Sequence, residues 1–372
     1  MRCLLTELLV EPEKAARITP KEWDEVIPQA RITALLATLY LRLEEKDLLD
    51  NIPAKPLTHL MSAWVVHNKQ KESLEYEVRW LLGAFSEVDE QLIILKGAAY
   101  LLAGLPSSRG RLISDVDLLV KETSLDKVEK ELNTFGWMSG DQDSYDDRYY
   151  RKWMHEIPPL GHSERESTLD VHHTILPPTA NTKLDPSKLF SSLVEVREGV
   201  YVLSPVDIVI HSATHLFHEG EFKHGLRDLW DLDRLLRHYG ENAPGFWDQL
   251  LPRALELNLA KSLFYALRYS TYFFETPVPD SVKKTAETLK PKKLSVQFMD
   301  LFFTRVFLPD HPSCHRKYYE LAAFCLYIRS HYLRMPMYLL IPHLLRKAWM
   351  GFVGRPSDGE EELENQDEAQ RV

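Results

Sequence analysis

Asp115 and Asp117 flank a single valine, Val116, and run directly into Leu118-Leu119-Val120. On an extended strand alternate side chains share a face, so the two carboxylates project together while Val116 and Leu118 enter a core. Neighbouring carboxylates repel unless a cation lies between them. Magnesium suits that place, because it is a hard ion that takes a few carboxylate oxygens, keeps waters and grips substrate phosphates at once. A third acid, Asp170, stands in a second apolar run, Leu169-Asp170-Val171-His172. The chemistry these residues imply is nucleotidyl transfer.

In a chain with 55 acidic residues, an isolated Asp-x-Asp is commonly a solvated pair at a strand end. The surroundings argue for more. The apolar run after Asp117 marks a buried strand with its acids at one end. Another apolar run, Leu92-Ile93-Ile94-Leu95, stops at Lys96-Gly97 and passes into Ala98-Ala99-Tyr100-Leu101-Leu102-Ala103. This reads as strand, tight turn and helix, a geometry that lets backbone approach phosphate oxygens and aims helix N–H groups at them.

The segments Leu95-Lys96-Gly97-Ala98-Ala99, Arg111 and Ser114-Asp115-Val116-Asp117-Leu118-Leu119-Val120 resemble bacterial nucleotidyltransferase-fold proteins of poorly characterised function. Their pattern is a Lys-Gly turn followed by Arg-x-x-Ser/Gly-Asp-hydrophobic-Asp-Leu-Leu-Val. It is similar to that of abortive-infection type nucleotidyltransferase toxins and, more distantly, to the polymerase-beta superfamily. The motif-bearing part covers residues 90–175, and a weaker echo runs through Pro205-Val206-Asp207 to Arg227-Asp228-Leu229-Trp230-Asp231-Leu232. The resemblance implies an α+β fold, a nucleotidyltransferase-type mixed sheet core flanked by N-terminal and C-terminal helical regions.

It also implies Mg2+, or Mn2+, held by Asp115, Asp117 and Asp170, and an NTP as substrate. Lys96, Gly97, Ala98, Arg109, Arg111 and Ser114 fall where that family meets the nucleotide, with Lys96 and Arg109 or Arg111 neutralising departing pyrophosphate. His172, His215, Arg227 and Asp228 are the residues expected to shape the pocket, and Asp170 is expected to accept the acceptor's proton. One departure is visible. Many superfamily members carry Gly-Ser or Gly-Gly at the turn, whereas Gly97-Ala98 offers no hydroxyl, so phosphate grip falls on backbone N–H groups and the basic side chains.

Three function classes follow. The first is an active transferase whose acceptor is a small molecule, a protein side chain or an RNA end. The second is a non-catalytic nucleotide-sensing or scaffold protein, which Ala98 favours, and the third a toxin-like transferase neutralised by a protein partner.

The formal net charge of -10 argues against a general nucleic-acid binder. With 372 residues, 44% of them hydrophobic, the chain can fill a sizeable core. Cys3, Cys314 and Cys325 lack metal-ligand or disulfide-framework spacing and read as reduced thiols in a cytoplasmic protein. The first residues, with Glu7 inside a short apolar run, do not read as a signal peptide. No transmembrane segment is expected, and the most apolar late stretch, 335–353, reads as a helix with a basic face.

Four regions are expected: an N-terminal helical region at 1–90, the catalytic core at 91–202, a C-terminal helical domain at 203–355 and an acidic flexible tail at 356–372. Apolar spacing predicts helices over 32–49 and 57–85, broken between them by Pro53 and Pro56, and over 125–135, ended by Gly136. Strands are predicted at 148–154 and 168–175, a polar loop at 140–144, and a helix from Ser204 as N-cap with Pro205 in its first position. His211, His215 and His218 share a face of that helix; packing or substrate-facing roles outrank zinc there, because no Cys or Glu partner has ligand spacing. Arg227 and Asp231 are spaced as an ordinary surface pair. His172 shares the strand face of Asp170, and His173 points away.

Overall fold

The computed structural model describes residues 3–140, 150–218, 220, 222–336, 338 and 340–341. Most of the expected loop at 140–144, the later part of 335–353 and the whole acidic tail lie outside the described residues.

Four helices precede the sheet: α1 (Leu4–Val10), α2 (Pro20–Ile32), α3 (Leu36–Glu44) and the long α4 (Ala54–Val88). Helix α2 starts cleanly because Thr19 and Glu22 cap each other, the Glu22 N–H reaching Thr19 Oγ1 (3.3 Å) and the Thr19 N–H reaching Glu22 Oε2 (2.8 Å). The helix expected over 32–49 is shorter and interrupted. Ala34 takes a left-handed φ of 54° and the Leu35 N–H closes on Ala30 O (2.7 Å), a C-terminal cap that ends α2 before α3 begins. Pro56 does not break the next helix either, since it sits in the first turn of α4, where its missing N–H removes no helical bond.

Seven strands, β1 (Leu92–Ile94), β2 (Val116–Leu119), β3 (Trp137–Ser139), β4 (Leu160–His162), β5 (Thr168–His172), β6 (Leu193–Arg197) and β7 (Val200–Leu203), form one mixed sheet. Their order is β3-β4-β5-β2-β1-β7-β6. Strand β1 pairs antiparallel with β2 and parallel with β7, and β2 pairs parallel with β5. All four residues of β2 are buried, so an acid inside it needs partners within the protein. Helix α5 (Lys96–Leu102) follows β1, and α6 (Leu125–Thr134) follows β2 and turns into β3 through Gly136, whose φ is 97°.

A strand is expected at 148–154; among its described residues, 150–153 are helical. Sheet-like pairing falls just after them, where Glu156 bridges His172, the Ile157 N–H donates to Val171 O (3.0 Å) and the His173 N–H to His155 O (2.9 Å). Strand β5 in turn stops at His172 rather than running to 175.

Helices then return as α7 (Pro205–His218), α8 (Gly225–Asn242), α9 (Phe246–Glu256), α10 (Ala260–Phe274), α11 (Asp280–Thr288), α12 (Lys293–Val306) and α13 (Tyr319–Arg334). Ser204 Oγ accepts the Asp207 N–H (3.2 Å) and Pro205 opens α7, as the sequence leads one to expect. The fold is thus α+β, with a mixed sheet between helical regions. One apolar cluster runs from Leu5 in α1 through the sheet to Leu326 in α13. No described helix is long and apolar enough to cross a membrane.

Candidate active site

Parallel pairing of β2 with β5 sets Asp117 opposite Asp170 and Leu119 opposite His172. Side chains in register on neighbouring strands share a face, so Asp117, Asp170 and His172 stand together. Their donor atoms lie within 4.8 Å of one another. His172 Nε2 is 2.9 Å from Asp117 Oδ1, and its Nδ1 is 3.2 Å from Glu156 Oε2. His173 turns to the other side, towards Met154 O (3.3 Å).

Lys96 completes the cluster. The Leu95 N–H bonds Asp117 O (2.8 Å), so the chain leaves β1 directly beside Asp117. Lys96 takes a φ of 47°, a left-handed conformation costly to a residue with a β-carbon, and its Nζ reaches Asp117 Oδ1 at 2.6 Å. Burial alone would raise the Asp117 carboxyl; Lys96 and His172 outweigh it and hold that carboxyl well below the usual range. Asp170 goes the other way. Burial, and then the charges of Asp117, Glu156 and Asp115, push it up to about 8.

The donor set suits a divalent cation. Two carboxylates with an imidazole present hard oxygens and one borderline nitrogen, a combination that manganese tolerates better than magnesium. Asp115 stands just ahead of β2, half-buried, with Ser114 Oγ donating to its Oδ1 (2.9 Å); it is close enough to act on Asp170 and Lys96 but is not one of the three converging donors. A second group, His155, Glu156 and His172, also brings its donors within 4.8 Å, with the His155 and His172 rings stacked at 5.1 Å.

The remaining expected residues divide into two sets. Arg111 is partly buried, its Nε donating to Asp231 Oδ2 (2.7 Å) with Asp228 Oδ1 at 4.0 Å, and its guanidinium lies over the Tyr100 ring at 5.7 Å. It also rests on Gly97: a β-carbon there would fall 2.1 Å from Arg111 Nη1. The glycine therefore makes room for an arginine. Ala98 is buried behind the turn. Arg227 pairs with Asp228 (2.8 Å) rather than with Asp231, which faces inward and is buried, not a surface residue. Asp228 is held down at about 2: burial opposes this, and Arg227, His215 and Arg111 outweigh it. His215 is buried with Lys96 near, which pushes it down to about 3, and His211 is pushed well below its ordinary value for the same reasons. Both imidazoles are neutral at pH 7. His218 is spent on Thr214 O (3.0 Å). Arg109 lies apart from all of these, its Nη1 bonded to Glu45 Oε1 (2.7 Å) on the far side of the loop.

Glu156, His155 and Tyr100 are neighbours of the site that the sequence did not single out as site residues. Glu156 carries no local motif; only its bridge to β5 brings it in.

A family model described as an uncharacterised nucleotidyltransferase matches residues 19–275. The chain belongs to this family. The matched span of this nucleotidyltransferase-family protein begins at the Thr19 cap of α2, takes in the whole sheet and ends at Glu275, immediately after α10. The family name places the chain among transferases of nucleotidyl groups at that coarse level. No curated protein and no solved structure matches it.

Proposed function

We propose that this protein transfers a nucleoside monophosphate from an NTP to an acceptor, using a divalent cation held at Asp117 and Asp170. The observation that carries the reading is their register: two acids from separate strands, side by side on one face, with a lysine and a histidine on the same carboxylate. A cation bound there would stabilise the attacking and leaving oxygens of an in-line displacement. Asp117 and Asp170 would hold it, with His172 or Asp115 as the further donor; Mn2+ would serve as well as or better than Mg2+. Lys96 stands where a triphosphate would approach and can exchange Asp117 for phosphate oxygens. Asp170, pushed up to about 8, holds its proton near neutral pH and would release it when a cation takes its oxygens. Arg111, fixed by Asp231 against Gly97, holds the shape of the turn.

The non-catalytic reading draws on Ala98 alone, and no feature of the geometry favours it. The test is incubation with each labelled ribonucleoside triphosphate, cell extract and Mg2+ or Mn2+. Label should move to protein, RNA or a small molecule, and the Asp117→Asn protein should move none. Absence of transfer with every nucleotide and both metals would overturn the reading.

A further inference from the structure

Arg109 belongs to a second cationic place in the molecule. Between α3, the loop at 106–109 and α8 lies a pocket of about 140 Å3, lined by Thr38, Arg42, Glu45, Arg109, Trp230 and Arg234 among others. Three guanidinium groups face one small volume in a chain of formal net charge -10. Glu45 is the one carboxylate among the lining residues, and it is divided between Arg42 (2.7 Å) and Arg109 (2.7 Å).

Arg42 and Arg234 are held within the fold, and Arg109, 57% exposed, is held by its ion pair with Glu45. Arg42 Nε donates to Leu9 O (3.2 Å), and Arg234 is held by Asp233 and stacks on the Trp230 ring at 4.2 Å. The loop carrying Arg109 is fastened to α3 at Gly110, whose φ is 76° and where a β-carbon would fall 2.4 Å from Thr38 N. Thr38 Oγ1 also donates to Gly110 O (3.3 Å). Burial, with Arg237 and Arg42 as neighbouring cations, lowers the Arg234 guanidinium although Asp233 opposes it.

Donors remain after these bonds. Among the described residues, no hydrogen bond engages Arg42 Nη2, Arg109 Nη2 or Arg234 Nη1. A guanidinium presents its N–H groups in a planar fork that matches phosphate oxygens two at a time. A volume of about 140 Å3 leaves room for a phosphate-sized group among these donors.

We propose that this pocket binds a phosphate or diphosphate group, in a place distinct from the Asp117–Asp170 cluster. The loop and α8 each serve both places: Arg109, Trp230 and Arg234 face the pocket, while Arg111 and Asp231 pair on the side of Gly97. The inference does not depend on the transferase reading.

Titration calorimetry and thermal unfolding, in EDTA, with inorganic phosphate, pyrophosphate and a 5′-phosphorylated dinucleotide test it. One equivalent of phosphate or pyrophosphate should bind the wild-type protein and Asp117→Asn alike, and Arg109→Ala should weaken binding about tenfold or more, the loss of one charge-assisted contact. Arg234→Lys should weaken it too, with circular dichroism unchanged. Tighter binding of the dinucleotide assigns the phosphate to a chain end, and equal or weaker binding to the free ion; either supports the site. Failure of phosphate and pyrophosphate to bind overturns it, as does binding that Asp117→Asn abolishes and Arg109→Ala leaves intact. Absence of label transfer by the wild-type protein with phosphate binding retained would instead count against the transferase reading alone.

Discussion

The β2 and β5 sides of the site carry the same residue type at the same register, yet their carboxyls are driven in opposite directions. Asp117 lies beside the point where the chain leaves β1, so Lys96 reaches it at 2.6 Å and His172 at 2.9 Å. Strand β5 pairs on its other side with β4, Leu160 opposite Leu169 and Gly161 opposite Thr168, and the charged neighbours of Asp170 are mostly acids. One side is a buried ion pair and the other a buried acid that keeps its proton. A cation would relieve the second and compete for the first, which makes β5 the side that gains more from binding one.

The strongest challenge to this comparison is chemical. Asp117→Asn and Asp170→Asn should each lower transfer by ~10^3-fold or more, because either change removes a charge that the reaction needs. Retention of activity by one of them would show that only one side matters. Removing the cation side should be the largest effect on stability: Lys96→Met leaves Asp117 buried without its ammonium and should cost about 3–5 kcal/mol in urea unfolding. A cost near zero would mean that Asp117 does not depend on Lys96.

A pH series sharpens the comparison from the other side. With its carboxyl pushed from 3.8 up to about 8, Asp170 stays protonated in the folded protein while the unfolded chain ionises it. Its drag on stability is therefore absent near pH 4, grows as the pH rises and levels off above about pH 8. In EDTA, Asp170→Asn should gain stability relative to wild type between those pH values, by on the order of a few kcal/mol at most. Equal pH dependence of the two proteins would count against a raised Asp170. Gly97→Ala should have the smallest effect, about 1–3 kcal/mol, as the new methyl displaces Arg111 from Asp231, with weaker transfer as a second readout. Unchanged stability and transfer would show that the turn tolerates a displaced Arg111.

Local signals were enough for several elements. Ser204-Pro205 marks the start of α7 and Gly136 the end of α6 because caps and left-handed turns are properties of a few adjacent residues. The alternation around Asp117 likewise gives a buried strand with an acid in it. Residues 150–153 are helical within a stretch whose pattern predicts a strand, because aromatic side chains in so short a run suit either state. Arg109 and Arg111 look equivalent in sequence, two residues apart beside the motif. The fold sends one to Glu45 and the other to Asp231, 120 positions further on, and no pattern in the intervening residues announces that choice.

By itself the sequence determined the acids, the Lys-Gly turn and a strand-bearing middle between helical regions, since these rest on side-chain type and on spacing over a few residues. Tertiary structure decided which charge answers which: that Lys96 and His172 sit on Asp117, that Glu156 and Asp115 crowd Asp170, and that Gly97 is a seat for Arg111. Those outcomes depend on distances of a few ångströms between strands, where Coulomb energy and desolvation are both large, and such distances exist only once the sheet has formed.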